Sequence, residues 1–327
     1  MLAESRSAGA GFLLAIATCA FCGTLRADPL AYITDQGSDD VAVIDLASGV
    51  RVAALRVGHA PVGVAVLAHP HRVFVTNPES HDVSVIERGA APREDRVIAR
   101  LAAGASPLGI EADETAARFY VSDMSANRLL VFDAVGLGTV GTVEIGRGPG
   151  GIAVDSAAGR IYVADRDDNA IAVVDTRTLE RRADIPVGEH PFGLAIDATG
   201  KRLYSANVYG NTVSVVDLTM GRRIAEIAVG NSPYCLLLHP SLHRLYVSNQ
   251  HADTVSIIDT DHLLVLDTVA TGAYPEGMAL HPDGHTFYVV NWMDDAVSEH
   301  DASTGRLLRT ITGGPNNRGF GQFIAAH

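Results

Sequence analysis

The sequence predicts an all-β chain, a seven-bladed β-propeller with four antiparallel strands per blade. Three observations carry that prediction. Seven Asx residues (Asp35, Asn77, Asp123, Asp165, Asn207, Asn249 and Asn291) recur every 42 positions, except that the second interval is 46. Each is followed ten residues later by an acid, from Asp45 and Glu87 through Asp133, Asp175, Asp217 and Asp259 to Asp301. A period in the low forties built from short apolar alternations is the signature of a propeller. The repeat is also cut so that the C-terminal segment supplies the strand that the N-terminal segment lacks.

Residues 1–27 stand outside the repeat. Arg6 is followed by the apolar run GFLLAIATCAFCGTL, and LRAD offers a cleavage position after Ala27. The run is short for a bilayer span and reads as a secretory leader, so the expected location is the periplasm. Residues 28–327 form the expected single propeller domain, with no membrane span. Cys19 and Cys22 leave with the leader, and Cys235 remains as a lone thiol. An intrachain disulfide is thereby excluded, and a chain of about 300 residues must rely on burial. A net charge of -13 with only one lysine argues against nucleic acid as a partner, because phosphate neutralisation needs a clustered basic face.

Each element of one repeat has a local reason, taken here in the unit 188–217. PFGLAI suits an innermost strand, ATGK a tight turn, RLYSAN a second strand, VYGN a turn and TVSVVD a third. RRIAEIAVG reads as the outermost strand, where solvent accepts Arg222, Arg223 and Glu226. The lead-in to the first strand is G-x-x-P-x-G in most copies, from Gly58 and Pro61 to Gly272 and Pro275. Proline fixes the approach and needs no donor, and the second glycine lets backbones crowd the axis. The Asx anchors, with Asp39, Asn127, Asn169, Asn211, Asp253 and Asp295 four later, are expected to close turns on their own following backbone. The extra four residues of the second interval fall near AAPRED and are expected to lengthen an exposed loop. AYITD at the start is a second strand and GFGQFIAA at the end a first strand, so the two ends close the ring.

FVTN at 74–77, YVSN at 246–249 and YVVN at 288–291, each followed by a VSVID-like strand and GxxPxG, resemble the YVTN-repeat seven-bladed propellers. The resemblance runs through the mature chain and is closest to YncE-like periplasmic proteins. It implies a family without a shared catalytic motif that includes binding proteins. Wider relatives include propeller subunits of quinone- or haem-dependent dehydrogenases. A c-type haem needs C-x-x-C-H, which one mature cysteine excludes. Trp292 is the only tryptophan, which speaks against tryptophan-locked quinoprotein propellers and against WD40 blades.

Function is sought where the repeat breaks. His81 replaces the Asn or Asp of the other copies, and His59 lies in the lead-in of the same blade. These two imidazoles are the candidate zinc or copper ligands. The residue after each proline varies most: Val62, Leu108, Gly150, Phe192, Tyr234, Glu276 and Arg318. Such variation on a fixed frame is what a ligand-reading rim shows. Arg147, Arg166, His190, Tyr209, His251, Tyr274 and Trp292 join the candidate rim, with Glu276 and Arg318 alternatively pairing with each other. Cys235 replaces an inner-strand glycine and reads as an apolar filler. The expected function is non-enzymatic binding of a small ligand or a periplasmic partner protein at the channel mouth. The alternatives are metal binding or trafficking, and a metal-assisted hydrolase or lyase resembling lactonase propellers.

Overall fold

The computed structural model describes residues 29–197, 199 and 201–326; the predicted leader, 1–27, lies outside them. Seven sheets form the ring. Blades 2 to 7 span 64–102, 107–144, 149–186, 191–228, 233–270 and 275–312, each with four antiparallel strands laid from axis to rim in chain order. Blade 1 joins the two ends: Leu30–Asp35, Asp40–Asp45 and Val50–Arg56 are completed on the inside by the C-terminal segment. Thr34 pairs with Arg318, and Leu30 with Ala325.

Burial explains the strand types. In blade 5 the second strand, Arg202–Asn207, and the third, Thr212–Asp217, are sandwiched on both faces and bury four or five of their six residues. The outermost strand, Arg222–Ala228, buries only Ile227. Tyr32, Phe74, Tyr120, Tyr162, Tyr204, Tyr246 and Tyr288, three before the anchors, are buried wedges between blades. Each stabilises its junction by about 2–3 kcal/mol through burial.

The lead-in glycine and the anchor are two halves of one contact. A Cβ on Gly188 would lie 2.4 Å from Nδ2 of Asn207, and all seven lead-in glycines meet their anchor in this way. The second glycine abuts the next blade: a Cβ on Gly193 would lie 2.3 Å from the Tyr234 carbonyl oxygen. Anchor chemistry follows the residue seven places on. Asn77, Asn207, Asn249 and Asn291 donate to Ser84, Ser214, Ser256 and Ser298 at 2.9 to 3.0 Å. Where that place holds Ala42, Leu130 or Ala172, the anchor is Asp35, Asp123 or Asp165 and meets Arg51, Arg128 or Arg181 at 3.2, 3.0 and 3.8 Å.

Two local expectations are corrected. The residues four after the anchors do not close their own turns. They sit in the left-handed region, and their side-chain oxygens accept the backbone N–H of the next blade's lead-in. His190 N donates to Asn169 Oδ1 at 2.8 Å, Ser232 N to Asn211 at 2.9 Å and Tyr274 N to Asp253 at 2.9 Å. These are staples between blades, and they put the anchor turns and lead-in loops on one face, the mouth. The longer second interval is likewise more than a surface loop. It forms a short 3-10 turn, Pro92–Glu94, that delivers buried Asp95 to blade 1. Asp95 accepts from Tyr32 Oη at 2.7 Å and Gly89 N at 2.9 Å, and Arg88 donates to the Ala326 carbonyl at 3.0 Å. The insertion is a latch over the seam.

Candidate functional site

The residues after the lead-in prolines do not form an open rim; they close the axis. The C-terminal strand is split into Asn317–Arg318 and Ile324–Ala325, and the intervening Phe320 bridges to Gly63 and turns its ring into the hub. Phe192 stacks on Tyr234 with centroids 4.1 Å apart and meets Phe320 at 4.9 Å. Val62, Cys235 and Met278 pack into the same cluster. This aromatic plug separates the mouth from the channel beneath it. Cys235 is buried, and burial followed by the Glu276 charge pushes its thiol well up. That is the environment of an inert filler.

On one side of the plug, Glu276 and Arg318 pair with each other. Arg318 Nε donates to Glu276 Oε2 at 2.7 Å, and its Nη2 donates to Oε1. Glu276 is fully buried and also accepts from Gln250 Nε2 at 3.1 Å. The guanidinium lies 4.5 Å from the Trp292 ring. Burial works against the Arg318 charge, and the adjoining carboxylate overrides it, raising its pKa. Both charges are consumed in the pair, so neither reads a ligand. Beside them runs a chain of polar aromatics. Ser232 Oγ lies 3.0 Å from His251 Nδ1, His251 Nε2 lies 3.1 Å from Tyr274 Oη, and Tyr274 meets Trp292 edge-on at 5.2 Å.

The other side holds a different cation. Arg166 is half-buried, and its Nε donates to His190 Nε2 at 3.1 Å while Nη1 lies 3.2 Å from Met124 Sδ. Its guanidinium lies 5.9 Å from the Phe192 ring. Among the described residues no carboxylate comes within ion-pairing distance of it. Accepting at Nε2 leaves the His190 proton on Nδ1, which faces Asp167 Oδ1 at 3.6 Å. Burial and then the Arg166 charge hold His190 below its ordinary pKa, against the pull of Asp167, so the imidazole is neutral. Tyr209, 68% exposed, stacks on His190 at 4.0 Å and roofs the assembly. Arg147 stands outside it and pairs with Asp168 at 2.7 Å. His190 and Tyr274 both have positive φ, 58° and 57°, but Ala60, Ser232 and Asn316 share that conformation. The strain belongs to the repeat and marks no site.

His59 and His81 are not brought together. His59 Nδ1 lies 2.8 Å from Asp39 Oδ2 in blade 1, whereas His81 Nδ1 donates to the Ala105 carbonyl, at 2.7 Å, before blade 3. They engage opposite neighbours. Among the described residues no three His, Cys, Asp or Glu side chains converge as a metal site, so the donors present do not fit zinc or copper.

Sequence reasoning passed over Met124, Gln250 and Phe320 at the plug, and Glu111 below it. Glu111 had a visible signal, since the other copies carry Ala65, Ala153, Ala195, Leu237 and Ala279 at its place.

Comparison with known proteins agrees with the architecture. Residues 148–251, about a third of the chain, match the SMP-30/Gluconolactonase/LRE-like region family. Curated protein sequences yield no match. A functionally unknown protein from Desulfotomaculum acetoxidans DSM 771 superposes with a TM-score of 0.80 at 14% identity, covering 91% of this chain and 98% of that one. A protein from Lactobacillus plantarum gives 0.72 at 17% identity, covering 89% and 98%. Hydrazine synthase from Kuenenia stuttgartiensis gives 0.67 at 20% identity, covering 78% and 87%. At such identities the likeness speaks to the fold.

Proposed function

We propose that this chain is an exported binding protein of the YVTN-repeat, YncE-like kind, whose mouth takes a small organic anion with Arg166 as the receiving cation. The observation behind this reading is the half-buried guanidinium of Arg166. It is held by neutral His190 and Met124, lies beside Phe192, and meets no carboxylate among the described residues. A guanidinium fixed by uncharged groups keeps a fork free for a carboxylate, and each charge-assisted hydrogen bond is worth about 1.5–3 kcal/mol. The stacked Tyr209 and His190 rings give the ligand's body a flat wall, which favours an aromatic or otherwise planar acid.

Titration with benzoate tests the reading. Arg166→Gln is expected to weaken benzoate roughly tenfold or more, while Arg147→Gln leaves it unchanged. Equal benzoate affinity in Arg166→Gln, or no carboxylate binding by the parent protein, would refute the reading. Export is tested separately by cell fractionation and by sequencing the mature N-terminus, expected near Asp28.

A second reading draws on the gluconolactonase-like region, since 148–251 includes Arg166 and His190. Here Arg166 turns from His190 to the carbonyl oxygen of a lactone, which frees His190 Nε2 to take a proton from the attacking water and return it to the ring oxygen that departs. Because the donor set does not fit a metal, no step is assigned to one. Hydrolysis of simple lactones, lost in His190→Ala, supports this reading; an inert parent protein removes it.

A further inference from the structure

Below the plug the axis opens into a cavity of about 250 Å³. At ~30 Å³ per water that is room for roughly eight waters, and it exceeds the ~150 Å³ that accommodates benzene. Ile152, Leu194, Leu236 and Met278 line it, with Phe320 toward the plug. One carboxyl stands among them, that of Glu111.

Glu111 has no stabilising partner: among the described residues no donor or cation engages it, and the one charge that acts on it is another acid, Asp113. Asp113 is itself satisfied, accepting from Thr115 N and Ala116 N at 3.0 Å each and from Ser156 Oγ at 2.8 Å. The Glu111 side chain is half-buried, and part of it faces the open channel. Burial, and then the Asp113 charge, push its carboxyl up to about 8. A chain this regular gains nothing in stability from an unpaired acid where four of its siblings use alanine and a fifth leucine.

The surroundings select the sign of a ligand. Among the described residues no Lys, Arg or His lines the cavity, and the Gln322 amide is turned to the Ile324 carbonyl at 3.3 Å. The innermost strands pair only on their outer side, so their inner edges present backbone carbonyls alongside N–H groups to the axis. An ammonium group, with three donors and no acceptor, matches a carboxylate that no other cation or donor engages among the described residues.

We propose that the lower channel is a binding site for a small organic cation, a primary amine on a compact apolar body, with Glu111 as its counter-ion. The apolar body lies against the aliphatic wall, and binding at neutral pH moves the Glu111 proton to solvent as the ammonium takes its place. This site lies on the far side of the plug from Arg166 and does not depend on the reading of the mouth.

The test uses the purified protein, with benzylamine as the probe and benzyl alcohol as its neutral counterpart, in calorimetry across buffers of different ionisation enthalpy. Benzylamine is expected to bind with proton release, and benzyl alcohol roughly tenfold more weakly or worse. Glu111→Gln should abolish both the preference and the proton release. Glu111→Ala, which installs the residue of four sibling repeats, should do the same in a folded protein. Arg166→Gln should leave benzylamine unchanged, just as Glu111→Gln should leave benzoate unchanged. Equal affinity for amine and alcohol, amine binding that survives both Glu111 variants, or amine binding lost in Arg166→Gln would each overturn the proposal.

Discussion

Replacing Asp165 by asparagine isolates the cost of a carboxylate inside the ring. Asp165 is fully buried; its Oδ2 accepts from Gly146 N at 2.9 Å, and its Oδ1 has no partner among the described residues. Arg181 is the cation near it, at 3.8 Å. Burial raises its pKa to about 7, opposed by the Gly146 hydrogen bond and by Arg181. The folded protein therefore holds a proton that the unfolded chain releases near pH 4, and stability falls as pH rises from there through about 7. At ~1.4 kcal/mol per tenfold change in proton affinity, the displacement amounts to roughly 4 kcal/mol. For a domain of about 300 residues, with an unfolding entropy near 2 cal/mol/K per residue, that is a Tm difference of ~6 °C. The asparagine amide carries no such proton. The assay is thermal unfolding of the parent and Asp165→Asn at about pH 4 and about pH 8. Any packing cost of the amide is common to both conditions and cancels. The variant is expected to gain ~6 °C relative to the parent on moving from the lower pH to the higher. An unchanged difference between the two proteins would refute the reasoning.

The remaining predictions concern other joints of the ring. Gly188→Ala should cost about 1–3 kcal/mol through its clash with Asn207, and adding Asn207→Ala should recover part of that loss in a double-mutant cycle read by urea melts. Asp95→Ala strips the partner from Tyr32 Oη and should cost about 1–3 kcal/mol; amide exchange in Leu30–Asp35 should accelerate, while exposed Glu94→Ala leaves it unchanged. His300 is buried, donates from Nδ1 to the Gly305 carbonyl at 2.9 Å, and is held below its ordinary pKa chiefly by burial. Its contribution is intact above about pH 6.5 and fades as pH falls toward the folded value, so His300→Asn should flatten the acid limb of a Tm–pH profile.

Much of this fold is legible in the sequence because the repeat states it seven times. The spacing of anchors, the lead-in glycines and the cut at the two ends together specify blades and closure. The coupling of Asn anchors to Ser84, Ser214, Ser256 and Ser298, and of Asp anchors to small or apolar residues, also stands in the sequence. What periodicity cannot convey is which repeat a side chain addresses. Asn169 lies 21 residues from His190 in every register, yet only the ring geometry makes that a bond between blades. The plug was hidden for a related reason. Inner strands such as PFGLAI are apolar throughout, and alternation therefore does not tell which of Phe192, Tyr234 or Arg318 turns to the axis and which outward. His59 and His81 looked like partners because they share a blade, but each lies nearer to a different neighbouring blade.

The seam has a consequence for how such a chain comes into being. The strand Leu30–Asp35, every residue of it buried in the finished molecule, is translated well before its inner neighbours, Asn317–Arg318 and Ile324–Ala325. At ~5–20 residues per second the ribosome leaves that edge bare for roughly 15–60 s. During that time a largely apolar strand edge is open to any other chain carrying a similar edge. The first blade to be started is thus the last to be completed, and its vulnerability to mispairing grows with the time that separates its two halves.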